Sequence, residues 1–145
     1  MKENEDSKKL TRGMRNCNPL NIVGGPNQWQ GMAKGQTDKK FVQFVSVTHG
    51  LRAAIILLTR YHRDYALITV KGIIHRWAPD GGEVEKNYVT FVTNNLCKQA
   101  VSATRRDLYH LMQGMCYVES RYVLTETAFD AAMQICPKTI KDYWK

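Results

Sequence analysis

Between residues 107 and 121, Leu108, Leu111, Met112 and Met115 recur at helical spacing, and the slot that continues their stripe is Glu119. A glutamate is seldom fully buried without a partner, so a carboxylate on that face is costly unless it has a use. Two effects raise the pKa of such a group: desolvation by the apolar face, and the negative end of the helix dipole. A carboxylic acid that stays protonated near neutral pH suits a general acid for glycosidic bond cleavage. The alternative is a helix end at which Glu119 turns into water or pairs with Arg121.

The remaining pattern is also mostly helical. Ser46 or Thr48 caps a helix predicted to reach about Tyr65, with Leu51, Ala54, Ile55, Leu58 and Tyr61 on one face. Thr69 caps a shorter one over residues 70–77, and Pro79 with Gly81-Gly82 stops it. Residues 83–96 form a third, with Val84, Tyr88, Phe91 and Asn95 predicted to face inward. Thr104 and Asp107 resemble a capping box at the start of the helix that carries Glu119. Thr125 caps another, through Cys136, and a short tail runs toward Trp144.

Ahead of the helices, residues 13–27 are rich in Asn, Gly and Pro and read as loop with a short extended piece at 20–23. Residues 41–45 read as a strand, so a small hairpin is predicted. Residues 1–11 are polar and charged without periodicity, the pattern of a flexible lead-in. The expected class is mainly α (α+β): a single domain over residues 12–145, with one small β-hairpin near its N-terminus.

A length of 145 residues fits one core. Net charge is +8, which favours anionic polymers: nucleic acid, lipid surfaces or the bacterial wall. Only Lys8-Lys9, Lys39-Lys40 and Arg105-Arg106 are dense, without interleaved aromatics, so a nucleic-acid reading rests on charge alone and is set aside. No apolar run has the length of a membrane span. The polar start lacks the apolar core of a signal peptide, which predicts synthesis in the cytoplasm and export by another route or with a removed leader. Cys17, Cys97, Cys116 and Cys136 are far apart, and His49, His62, His75 and His110 form no close ligand pairs, so no metal and no cofactor are expected. Free, mostly buried thiols are favoured, with one disulfide after export left open.

Other residues invite chemistry. His62 is a candidate base, or else a surface or satisfied core histidine. Trp29, in a Gln/Gly-rich loop, and Tyr88 are candidates to stack on sugar rings, whereas Trp77 ends a core stripe. Asp80, Glu83 and Glu85 follow a helix-breaking turn: either the place of a second carboxylate, or a solvated first turn favoured by the dipole. No phosphate-binding glycine loop and no nucleophile motif is present.

The run Arg12-Gly13-Met14-Arg15-Asn16-Cys17-Asn18-Pro19-Leu20-Asn21-Ile22 resembles the "RGxRNxNPxNI" opening of a phage-associated structural or virion-protein family. The likeness continues at Trp29-Gln30-Gly31, Phe41-Val42-Gln43-Phe44, His49-Gly50-Leu51-Arg52-Ala53, Ile73 to Pro79, and Asn87-Tyr88-Val89. The family places Glu-Asn soon after the proline, where this chain has Asp80-Gly81-Gly82-Glu83. The first half is also similar to the later half of flagellar-type glucosaminidases, and Glu119-Ser120 looks like the Glu-Ser helix end of lytic transglycosylases. Together these imply a lysozyme-like domain whose catalytic helix has moved to the C-terminal side, a circular permutation.

That resemblance implies cleavage of peptidoglycan glycan strands by a muramidase, glucosaminidase or lytic transglycosylase route. Glu119 is then the general acid, and Ser120 orients it or the substrate's N-acetyl group. Asn16, Asn18 and Asn21 bind glycan or hold their loop, and Asp80 or Glu83 is a possible second carboxylate. The partners implied are peptidoglycan, a phage particle or secretion machine for delivery to the cell wall or periplasm, and an immunity protein if the chain is an antibacterial effector. A non-enzymatic virion or wall-binding protein that keeps the fold is the competing expectation.

Overall fold

The computed structural model describes residues 10–145. The helices are α1 (Arg12–Arg15), α2 (Val47–Thr59), α3 (Val70–Trp77), α4 (Glu83–Leu96), α5 (Arg105–Ser120), α6 (Glu126–Gln134) and α7 (Lys138–Tyr143). Helices α2, α3, α5 and α6 each start on a local side-chain oxygen, whereas α4 begins at Gly82 without one. Ser46, Thr69, Thr104 and Thr125 accept from the backbone N–H three residues on, at 3.2, 3.1, 3.2 and 3.2 Å. Each such cap stabilises by about 1 kcal/mol. The expected capping box at Thr104 forms only by half. Asp107 turns instead to the Ser102 N–H at 2.7 Å and the Lys98 ammonium at 2.7 Å.

The core is built on α2, where Leu51, Ala54, Ile55 and Leu58 are at most 1% exposed. α2 does not run unbroken to Tyr65; a π-turn takes over at Arg60–Asp64. That turn faces His62 inward, between the Tyr143 hydroxyl and the Val101 carbonyl, so His62 is a satisfied core residue. The C-terminal tail is also core. Trp144 is buried and donates from Nε1 to Thr59 Oγ1 at 2.8 Å. α4 packs along α5, and Gly114 lets the backbones close in, since a Cβ there would lie 3.3 Å from Val92 Cα. On α4, Tyr88 is buried as expected, but Val84 and Phe91 are exposed on its flank.

The predicted hairpin is not formed. Among the described residues, pairing near the N-terminus stops at isolated bridges, Val23 with Phe41 and Met32 with Phe44. The segment 41–45 divides itself between two partners. Val42 N–H donates to Ile22 O at 3.0 Å, while Val45 N–H donates to Gly31 O at 2.8 Å. Side chains take other rungs: Gln36 Oε1 accepts from Gln43 N–H, and Gln36 Nε2 donates to Gln43 O. A continuous ladder has no room to grow under that division.

The expected lead-in falls largely on residues 1–9, outside the described ones. Its last residue, Thr11, is anchored: its hydroxyl caps α1 and donates to Ser120 O at 2.8 Å. The four cysteines carry no disulfide; Cys116 and Cys136 are buried, Cys17 is half-buried and Cys97 exposed. No described helix is long and apolar enough to cross a membrane.

Candidate functional site

Glu119 sits on the last turn of α5, half-buried, and both of its carboxylate oxygens are held by neutral donors. Asn21 Nδ2 donates to Oε1 at 2.9 Å, and the Tyr88 hydroxyl donates to Oε2 at 3.0 Å. The same Asn21 amide also reaches the Glu119 carbonyl at 3.2 Å. Burial raises the pKa of Glu119, while the Asn21 and Tyr88 bonds and the charge of Lys40 act against it; burial wins. The tyrosine responds in kind. Burial first, and then the adjoining carboxylate, push the Tyr88 hydroxyl well above its ordinary range.

Arg121 does not neutralise Glu119. It ends α5 in the left-handed conformation, φ 55°, and its guanidinium lies 5.1 Å above the Tyr117 ring. Among the described residues, the carboxyl is therefore held in place without a cation in contact. The Asn21 amide can only donate, whereas the Tyr88 hydroxyl can donate to the carboxylate or accept from the carboxyl, so the tyrosine contact suits both protonation states.

Asn21 reaches this position because its backbone is left-handed, φ 53°, a conformation asparagine tolerates better than most residues. Gly13 makes room. A Cβ there would lie 1.9 Å from Ser120 Oγ and 3.0 Å from Asn21 Oδ1. Those two oxygens are buried and have no hydrogen-bond partner among the described residues. Ser120 thus points into the packed junction of α1 and α5, next to Asn21.

The other expected residues divide. Asn18 is fully buried and spends its amide on the Ile22 and Val42 backbone, so it holds the loop. Asn16 is buried between Asp38 and Gln43. Both take the loop-holding role. Trp29 is half-buried against the core, with Arg60 5.6 Å above its ring. Asp80 and Glu83 are exposed, around the Gly81-Gly82 turn, and neither touches Glu119. Glu85 organises that turn. It accepts from the Asp80 and Gly81 N–H groups at 2.8 and 2.9 Å and from His75 at 2.9 Å, which hold its carboxyl down at about 2.

Three features were not anticipated. Asp38 accepts from both arms of Arg12 at 2.7 Å, from Asn16, and from the Lys40 and Phe41 N–H groups; its carboxyl is held far below the usual range. This knot fixes the loop that brings Lys40 toward Glu119. Trp77 Nε1 donates to Leu20 O at 3.0 Å and fixes the backbone next to Asn21. Tyr88 and Arg121 also border a groove of about 320 Å³ between α4 and α5, whose walls include Phe91 and Tyr117. No charge pattern or spacing announced that groove, and Phe91 was expected to face inward.

No family model matches the chain. Over 89 residues it is 42% identical to Protein P5 of Pseudoalteromonas phage PM2, a stretch that covers 59% of this chain and 56% of the phage protein. The chain therefore spans little more than half of that relative's length. Its similarity to a phage protein supports the phage association implied by the motif at residues 12–22.

Proposed function

We propose that the protein cleaves the glycan strand of peptidoglycan through a lysozyme-like site in which Glu119 is the general acid. The observation that carries this reading is the state of one carboxyl: half-buried at a helix end, its pKa raised, fixed through both oxygens by neutral donors. In the reaction the Glu119 carboxyl proton passes to the glycosidic oxygen as the bond from that oxygen to the sugar C1 breaks. The electron pair leaves with the oxygen, and C1 becomes an oxocarbenium-like centre. Water, or the C6 hydroxyl of the same sugar, then attacks C1 and returns a proton to the Glu119 carboxylate. Asp80 and Glu83 stand away from Glu119, which favours the intramolecular route and an anhydro product. The net charge of +8 suits an anionic wall, and phage delivery would bring the protein there.

Clearing of purified cell wall by wild type and by Glu119→Gln tests the reading. A general acid contributes roughly 100-fold or more, so the variant should lose at least that factor. Equal clearing by both proteins removes Glu119 from the mechanism. Binding to wall by both with clearing by neither would support a non-enzymatic wall-binding virion component.

A further inference from the structure

Past the C-terminal end of α2, the π-turn at Arg60–Asp64 leads into a short loop before α3. Two of its apolar side chains face water: Tyr65 is 53% exposed and Ile68 50%. The loop is not slack. Tyr65 N–H donates to Arg60 O at 3.1 Å, Leu67 N–H to Tyr61 O at 2.9 Å, and Val101 N–H to Ile68 O at 2.8 Å. Ala66 takes φ 54°, a backbone that a residue with a Cβ seldom adopts. Leu67 is half-buried against α3, where a Cβ on Gly72 would lie 3.6 Å from its Cδ2. A tyrosine and an isoleucine are thus fixed in water by a tied backbone and cannot fold back onto the core.

Cations surround them. The Arg76 guanidinium lies 4.4 Å over the Tyr65 ring and 5.4 Å over Tyr61, and Arg60 lies 5.6 Å over Trp29. Neither arginine has a carboxylate partner among the described residues, and the acid of the turn, Asp64, is taken by Arg63 at 2.8 Å. An exposed aliphatic beside a tyrosine that carries an arginine suits the headgroup region of a bilayer. There the apolar bodies sink inward while hydroxyl and guanidinium stay with the phosphates.

We propose that the loop at residues 65–68 docks the protein on a bilayer with anionic headgroups. Tyr65 and Ile68 enter below the phosphates, and Arg60 and Arg76 pair with them, so that the protein lies on the membrane without spanning it. The inference is independent of the part played by Glu119. Charge selects the occupant: a net charge of +8 and two arginines without carboxylates favour an anionic surface over a neutral one. A nucleic acid would stack bases on open ring faces, whereas Arg76 already lies on the Tyr65 ring and Ile68 offers no stacking surface.

Flotation of the full chain with vesicles tests the proposal, using phosphatidylcholine alone and phosphatidylcholine with about one-third phosphatidylglycerol. Wild type should float with the anionic vesicles and poorly with the neutral ones. Arg76→Gln should weaken anionic binding about fivefold, the worth of one arginine near such a surface. Ile68→Ser and Tyr65→Ser should each weaken it by about that factor or more. All three positions are exposed, and melting midpoints like that of wild type establish that the variants are folded. Absence of binding to anionic vesicles would overturn the docking loop, as would binding that Ile68→Ser and Tyr65→Ser leave intact. A single-stranded oligonucleotide whose binding alone responds to the three substitutions would overturn it in favour of nucleic acid. Wall clearing plays no part in these readouts, so the fate of the Glu119 reading does not bear on them.

Discussion

The Tyr88 hydroxyl donates to Glu119 Oε2 at 3.0 Å from a side chain that is itself only 6% exposed, so the carboxyl meets a buried dipole where water would otherwise stand. This bond lowers the carboxyl's pKa and burial raises it, and burial prevails. Tyr88→Phe removes the lowering part and keeps the bulk. The alkaline limb of wall clearing should then move to higher pH, because Glu119 stays protonated longer. Folding should weaken by about 1 kcal/mol. A pH profile identical to wild type would show that Tyr88 does not set the acid.

Glu119 makes the fold less stable as it ionises. Its native pKa is raised, so the folded state keeps a proton that the unfolded chain gives up, and stability declines as pH rises through that interval. Glutamine keeps a carbonyl for Asn21 and an amide for the tyrosine oxygen, but it cannot ionise. Glu119→Gln should melt higher than wild type at pH 7, and the advantage should shrink toward pH 4. Thermal unfolding at both values decides it.

Asp38 has the opposite sign. Five donors keep its native carboxyl ionised where the unfolded chain would protonate it. Its contribution is therefore complete above the ordinary Asp range and is lost as pH falls below it. The stability difference between wild type and Asp38→Asn should be constant near neutrality and narrow below about pH 4. Limited proteolysis of the variant should cut first within residues 24–40.

Two glycines should refuse alanine for steric reasons. At Gly50, inside α2, alanine would ordinarily gain about 0.5–1 kcal/mol. Here the added Cβ would lie 2.1 Å from the Cys17 carbonyl oxygen. At Gly13 it would meet Ser120 Oγ at 1.9 Å. Denaturant unfolding should show each variant destabilised by about 1–3 kcal/mol or more. Gly13→Ala should also displace Asn21 and reduce wall clearing.

Trp144 closes the far side of the core. Trp144→Ala should cost about 3–5 kcal/mol, since it removes a buried ring and leaves Thr59 Oγ1 without that donor. Trp144→Phe should recover much of the packing and none of the bond. Unfolding midpoints for the two variants would separate those contributions.

The helices were legible because their signals are local. A Thr or Ser oxygen three residues before an N–H, followed by a period of 3.6, needs no knowledge of the rest of the chain. The same period also flagged Glu119 as a carboxylate on an apolar face. What it could not supply were the partners: Asn21 is 98 residues away and Tyr88 31. The hairpin was over-read for a related reason. Alternation at residues 41–45 is a property of one segment, whereas a ladder needs one partner throughout, and here two segments share it. Phe91 shares the helical phase of Tyr88 only approximately, enough to suggest burial and too little to achieve it.

The bonds from Thr11 to Ser120 and from Asn21 to Glu119 have a consequence in time. During synthesis the segment that holds the acid leaves the ribosome roughly a hundred residues before the acid itself, so it must wait with its asparagine unoccupied. Until α5 docks, Glu119 is an ordinary solvated glutamate with an ordinary proton affinity. The raised proton affinity that the proposed function calls for would therefore arrive only with the last long-range closure.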